Sequence, residues 1–201
     1  MSQITIVALG DSTTAGTPLF LSPVESPPDG WGDKTSQFSY WMMQSHPDWQ
    51  VLNRGVNGER TDQIAARFDR DVLGPRPRAV IIIAGVNDVY QGKSNESITS
   101  TLDDMYRRAA AAKIPVVAGT IIPYNTATPA QNEAMREVND WIAQQAGTDR
   151  NITFVDTRLA VARPDDINKL RASEDGLHPD AQGYRLMADA LIPGVEKAIG
   201  Q

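Results

Sequence analysis

Hydrophobic positions along the chain follow two periods, and the alternation between them sets out the elements. Short runs rich in Ile and Val read as buried strands at residues 3–9, 51–53, 79–84, 114–120 and 152–155. The third run, Ala79-Val80-Ile81-Ile82-Ile83-Ala84, is apolar on both faces, as a central parallel strand is. Between these runs the apolar positions recur at helical spacing. Residues 33–44 carry Phe38, Trp41 and Met42, and the helix they predict ends before His46-Pro47. Residues 61–73 place Ile64, Ala65, Phe68 and Val72 on one side, and residues 97–113 do the same with Ile98, Leu102, Met105 and Ala109. A helix opening at Pro129 runs to about Gln145 through Met135, Val138 and Ile142. The last spans 181–199, with Pro193-Gly194 a candidate kink or break.

Strands separated by helical segments imply right-handed crossovers, hence a parallel sheet with helices on both faces. No repeat, low-complexity tract or linker divides the chain, so residues 1–201 read as one domain. One connection is unusual. Residues 17–32 hold Pro18, Pro23, Pro27, Pro28 and Gly30, which exclude a helix, and the segment is longer than most loops. Its Leu19, Phe20, Leu21, Val24 and Trp31 either wall an apolar pocket or pack on the helix that follows.

Composition narrows the function classes. With 41% hydrophobic and 22% charged residues, the chain has the balance of an ordinary soluble globular protein. A net charge of -6 with scattered basic residues argues against a nucleic-acid partner. The absence of cysteine removes disulfides and thiolate chemistry. No apolar run approaches the ~20 residues of a membrane span. The run at 4–9 is too short for a signal segment and lacks a cleavage site, so a cytoplasmic protein is the default expectation, a trimmed leader aside.

Polar and glycine-rich residues collect where strands end. Gly10-Asp11-Ser12 follows the first strand, Asn53 to Gly58 the second, and Gly85-Val86-Asn87-Asp88 the third; Asp175 and His178 lie beyond the fifth. In a parallel sheet these ends share one edge, the edge at which ligands bind. Ser12 there is a nucleophile, a phosphate ligand or a helix cap. A serine nucleophile needs a base and a group to orient the base. Of the two histidines, His46 sits at a helix end and reads as a solvated side chain near the dipole. His178 lies three residues after Asp175, a spacing that puts both on one side of a turn. Asp175 then holds Nδ1 of His178, or else caps the last helix. Candidate oxyanion donors are the amides of Ser12 and Gly58 and the side chain of Asn87; the competing readings are a positive-φ turn at Gly58 and an Asx turn at Asn87. Asp11 and Asn53 read as structural, and Arg54 and Arg60 as surface charges.

Taken together, Gly10-Asp11-Ser12, Asn53 to Gly58, Gly85-x-Asn87-Asp88 and Asp175-x-x-His178 resemble the four ordered blocks of the SGNH hydrolases, also called the GDSL esterase/lipase family. The resemblance spans nearly the whole chain. It implies a flavodoxin-like three-layer α/β/α sandwich on a five-stranded parallel sheet, and ester hydrolysis with no metal and no cofactor. It makes Ser12 the nucleophile, His178 the base and Asp175 the orienting acid, with Ser12, Gly58 and Asn87 as the oxyanion hole. Thr13 stands where the family name has leucine. The expected partner is a small-molecule ester; within that class a short-chain esterase, a carbohydrate deacetylase and a thioesterase or lysophospholipase stay open. Phe20, Trp31 and Tyr124 are candidate substrate contacts. From other classes, a metal-dependent phosphohydrolase would use Asp11, Asp88 and Asp156 at the strand tips, and a non-catalytic binding domain would use the same fold.

Overall fold

The computed structural model describes residues 3–200; Met1, Ser2 and Gln201 of the expected 1–201 domain lie outside them. Five strands form one parallel sheet: β1 (Ile4–Gly10), β2 (Trp49–Gly55), β3 (Ala79–Ile83), β4 (Val116–Gly119) and β5 (Ile152–Val155). Their order across the sheet is β2-β1-β3-β4-β5, the flavodoxin-like arrangement. Register runs Ile4 opposite Trp49 to Gly10 opposite Gly55, and Gly10 again opposite Ile83. The ends of β1, β2 and β3 are therefore level. Because the chain leaves β1 toward one side and reaches β3 on the other, a crevice opens between their exit loops.

Alternation along the central strands feeds two cores. Val7, Leu9, Val80 and Ile82 face helices α2 (Thr61–Ala66), α3 (Asn95–Ala111) and α4 (Pro129–Thr148), meeting Ile64, Leu102, Met105 and Val138. Ile6, Ala8 and Ile81 face α1 (Phe38–Ser45) and α5 (Ala181–Ile199), meeting Phe38, Met42, Tyr184, Met187 and Leu191. Each fully buried aliphatic side chain contributes about 1.5–3 kcal/mol. The sheet is thus clamped from both faces, and the polar turns at its C-terminal edge are built on a rigid base.

Several elements depart from the sequence expectation for identifiable reasons. The helix expected over 33–44 is a short 3-10 turn, Lys34–Ser36, and then α1, separated by Gln37 in extended conformation. Asp33 caps the turn, and the Gln37 side-chain oxygen accepts from Ser39 and Asn53, so local hydrogen bonds replace continuity of the helix. The helix expected over 61–73 stops at Ala66, and residues Asp69–Leu73 form a π turn closed by Gly74 N–H donating to the Asp69 carbonyl. The proline-rich 17–32 loop holds a two-stranded hairpin, Phe20–Leu21 with Trp31–Gly32. The polar stretch after Asp156 forms the helical turn Thr157–Val161 and a second hairpin, Ala162–Arg163 with Asp166–Leu170. At the C-terminus α5 runs unbroken through Pro193.

Candidate active site

Ser12 opens a single helical turn, Ser12–Ala15, directly at the end of β1. Asp11 caps it, its Oδ1 accepting from the Thr13 amide at 3.0 Å, and Gly16 ends it in the left-handed region. No residue larger than glycine fits at position 10, where a Cβ would overlap the Thr14 hydroxyl and the Ile83 carbonyl. The Ser12 N–H, at the first position of the turn, has no acceptor within it. Only 4% of Ser12 is exposed.

His178 reaches Ser12 from the far end of the sequence. Its Nε2 lies 2.9 Å from Ser12 Oγ and its Nδ1 lies 2.6 Å from Asp175 Oδ2. A carboxylate only accepts, so Nδ1 carries the ring proton and Nε2 accepts from the serine hydroxyl. Asp175 is fixed in turn: its Oδ1 accepts from the amides of Leu177 (2.8 Å) and His178 (2.9 Å). Burial opposes ionisation of Asp175, but the His178 hydrogen bond and those two amides outweigh it and hold its carboxyl at about 2. The cap of α5 is Asp180, whose Oδ1 accepts from Gly183 N–H, which leaves Asp175 to the histidine. The Gly176 carbonyl accepts from the Asn125 amide at 2.7 Å, tying the 173–178 segment to the loop after β4.

The remaining strand ends supply hydrogen-bond donors and their supports. Asn87 opens onto the cleft and uses one of its two Nδ2 hydrogens on the Glu59 carbonyl, at 2.9 Å. Gly58 has φ +76°, a turn conformation that glycine adopts without strain. It does not line the cleft; its neighbour Asn57 does. Asn53 is structural, donating to the carbonyl of Ala15 and the side chain of Gln37, and accepting from Gly55 N–H. Arg60, the N-cap residue of α2, pairs with Asp62.

The three strand-tip aspartates do not converge on a common point. Asp11 caps the Ser12 turn, Asp88 accepts from the Thr61 amide and hydroxyl, and Asp156 accepts from Thr120 and the Leu159 amide. No group of three or more His, Cys, Asp or Glu among the described residues is placed to hold a metal ion. Burial, with the nearby Asp88 charge adding to it, raises the Asp11 carboxyl to about 7.

Ser12, His178 and Asn87 line a cleft of about 210 Å³, completed by Thr13, Asn57, Val86, Tyr90, Tyr124 and Leu177. Of the expected substrate contacts, only Tyr124 is among them. Phe20 is buried in a different groove, beside Gln37 and Tyr40, and Trp31 is 73% exposed. The hairpin pairs the two residues' strands with each other, and no residue of the 17–32 loop lines the cleft. Asn57, Tyr90 and Leu177 escaped the sequence reading, although each lies within three residues of Gly58, Asn87 or His178.

The sheet order and the edge on which these groups gather define a flavodoxin-like α/β/α sandwich with its polar site at the C-terminal ends of the strands. The chain belongs to the GDSL-like lipase/acylhydrolase family, whose model matches residues 8–186, and it is a carboxylic ester hydrolase. It is 24% identical over 154 residues to an acetylxylan esterase from Geobacillus stearothermophilus, covering 71% of this chain and 70% of that protein. Among solved structures, a GDSL-like lipase from Bacteroides thetaiotaomicron superposes with a TM-score of 0.71 at 23% identity, over 96% of this chain and 88% of that one. A member of the G-D-S-L lipolytic family from Veillonella parvula gives 0.74 at 20% identity, over 94% and 97%. At these identities the superpositions speak for the fold.

Proposed function

We propose that the protein hydrolyses small, short-chain acyl esters through an acyl-enzyme on Ser12. His178 Nε2 takes the proton from Ser12 Oγ as the oxygen attacks the ester carbonyl. Asp175 holds the ring in the tautomer that leaves Nε2 free and stabilises the imidazolium that forms. The oxyanion of the tetrahedral intermediate is met at the cleft by the amide of Ser12 and the free Nδ2 hydrogen of Asn87. It is also met by the amide of Gly58, which sits behind the cleft-lining Asn57 and reaches the oxyanion from the edge of the cleft. Collapse expels the alcohol, which takes its proton from His178. Water then attacks the acyl group by the same route in reverse, releasing the acid and restoring Ser12.

The observation that carries this reading is the line of hydrogen bonds Asp175–His178–Ser12 at one wall of the cleft. The preference for short acyl groups rests on volume: about 210 Å³ is below the ~300–1,000 Å³ of pockets that hold drug-sized ligands. A second reading, deacetylation of carbohydrate, draws on the acetylxylan esterase likeness and on Tyr90, a largely exposed aromatic ring at the cleft that offers a face for a sugar. Acyl esters from acetyl to octanoyl, together with acetylated oligosaccharides, test both. Acetyl to butyryl esters are expected to turn over fastest, and Ser12→Ala is expected to remove turnover and labelling by a serine-directed phosphonate. Equal rates on octanoyl esters overturn the short-chain assignment. A Ser12→Ala enzyme that keeps its activity overturns the mechanism.

A further inference from the structure

Arg67 does not line the cleft, yet its guanidinium joins the segments that build it. It follows the last residue of α2, is 8% exposed, and engages four separate groups. Nη2 donates to the carbonyl of Gly10 at 2.8 Å, two residues before Ser12. Nη1 donates to the Arg54 carbonyl near the end of β2 at 2.8 Å and to Asp71 Oδ2 at 2.7 Å. Nε donates to Glu59 Oε2 at 2.7 Å. Glu59 follows Gly58 directly, and its own carbonyl is the acceptor that holds the Asn87 amide.

A guanidinium is rigid and planar, with its donors at fixed angles, so groups bound to it are fixed relative to one another. A buried charge needs partners, and one carboxylate would pair it; Asp71 already supplies that, with Arg70 as a second cation beside it. The bonds to Gly10, Arg54 and Glu59 go further and lock the exits of β1 and β2 to the 58–59 segment. We propose that Arg67 is a positioning residue for the oxyanion hole. It holds the Gly58–Glu59 segment, and through the Glu59 carbonyl the Asn87 side chain, at a set distance from the strand end that carries Ser12. The proposal rests on the reading of Asn87 and Gly58 as oxyanion donors.

Donors aimed at a transient oxyanion act on the transition state, and small misplacements are costly there. Loss of Arg67 therefore lowers kcat with little change in KM. The experiment is a mutant cycle of Arg67→Gln, Glu59→Gln and Asn87→Ala, assayed on a short-chain ester, with thermal unfolding to establish that each variant is folded. Arg67→Gln is expected to lower kcat by about 10- to 100-fold and to leave KM within about twofold. The double variant with Asn87→Ala should lose far less than the product of the two single losses, because both act through one amide. Losses that multiply, or a fall confined to kcat/KM through KM, overturn the proposal. Glu59→Gln keeps the backbone carbonyl and removes only the ion pair, so it carries the same cycle should Arg67→Gln not fold. If Asn87→Ala slows the enzyme while Arg67→Gln and Glu59→Gln keep the wild-type kcat, Arg67 is structural and the site reading stands. If Asn87→Ala itself leaves kcat unchanged, the oxyanion assignment fails and this proposal falls with it.

Discussion

The two histidines occupy opposite edges of the same sheet. His178 stands at the C-terminal edge, with one ring nitrogen against Asp175 and the other against Ser12. His46 caps α1 at the N-terminal edge, where its ring stacks on Trp49 at 4.0 Å and its Nε2 lies 3.2 Å from Glu196 Oε1. Both have a carboxylate partner. What differs is the third group: a hydroxyl at the C-terminal edge, an indole at the other. The catalytic role proposed for His178 rests on which strand ends meet, because parallel strands bring only their C-terminal ends to the crevice.

Replacing each histidine in turn breaks this comparison most sharply. His178→Ala is expected to lower kcat by about 10⁴-fold or more, as loss of the base in a serine mechanism does. His46→Ala should leave kcat alone and cost about 1 kcal/mol of stability, from the lost stacking on Trp49. Steady-state kinetics and denaturant unfolding on the two variants decide it, and comparable kinetic damage from both would mean that the base is misassigned.

A smaller but still large loss is expected at the carboxylate. Asp175→Asn keeps the shape but offers an amide where Nδ1–H needs an acceptor, so the ring favours the wrong tautomer. A fall in kcat of about 10³-fold or more in a variant that still folds at pH 7, with some loss of thermal stability there, is the expected result. Full activity in the variant would show that the ring is oriented without it.

Next in size is a stability effect, and it sets Asp175 against Asp11. Asp175 is held at about 2, so its contribution is present above the ordinary value of 3.8 and is lost as pH falls toward 2. Asp11 is raised to about 7, so the folded state keeps a proton that the unfolded chain releases near 3.8. Its contribution is complete below 3.8 and declines as pH rises to 7. Asp11→Asn, which retains the oxygen that caps Thr13, should flatten the decline in Tm across pH 4–7. An unchanged slope would mean that Asp11 is ionised in the folded protein at the lower pH.

The smallest effect tests the proline-rich loop. Trp31→Ala, at an exposed position outside the cleft, should change stability by no more than about 0.5 kcal/mol. It should also leave the ratio of acetyl to octanoyl ester rates as it is. A shifted ratio would return the loop to the substrate's path.

How far this was legible in the sequence varies with the range of the forces involved. The Asp175–His178 spacing was readable because three residues in a turn is a local geometry. The apolar runs of β1 and β3 were readable because a strand buried on both faces has no choice of residue. Residues 157–173 were not: Thr157–Val161 and the Ala162–Leu170 hairpin lack strong periodicity and are held by side-chain bonds such as Leu170 N–H to Asn125 Oδ1. The break after Ala66 was hidden too, since Phe68 and Val72 continue the helical pattern while Arg67 turns inward to the strand ends.

By itself the sequence determined the five strands, most of the helices, the parallel sheet and the candidate residues at one edge of it, because periodicity and turn chemistry act over a few residues. Only the tertiary structure decided the strand order, the 2.9 Å approach of His178 to a serine 166 residues away, and the exclusion of Phe20 and Trp31 from the cleft. It also decided that Arg67, within the segment expected as a helix over 61–73, is buried among four acceptors from β1, β2, Glu59 and Asp71. Those outcomes depend on which surfaces bury one another across the whole chain, and a local pattern carries no record of its distant partner.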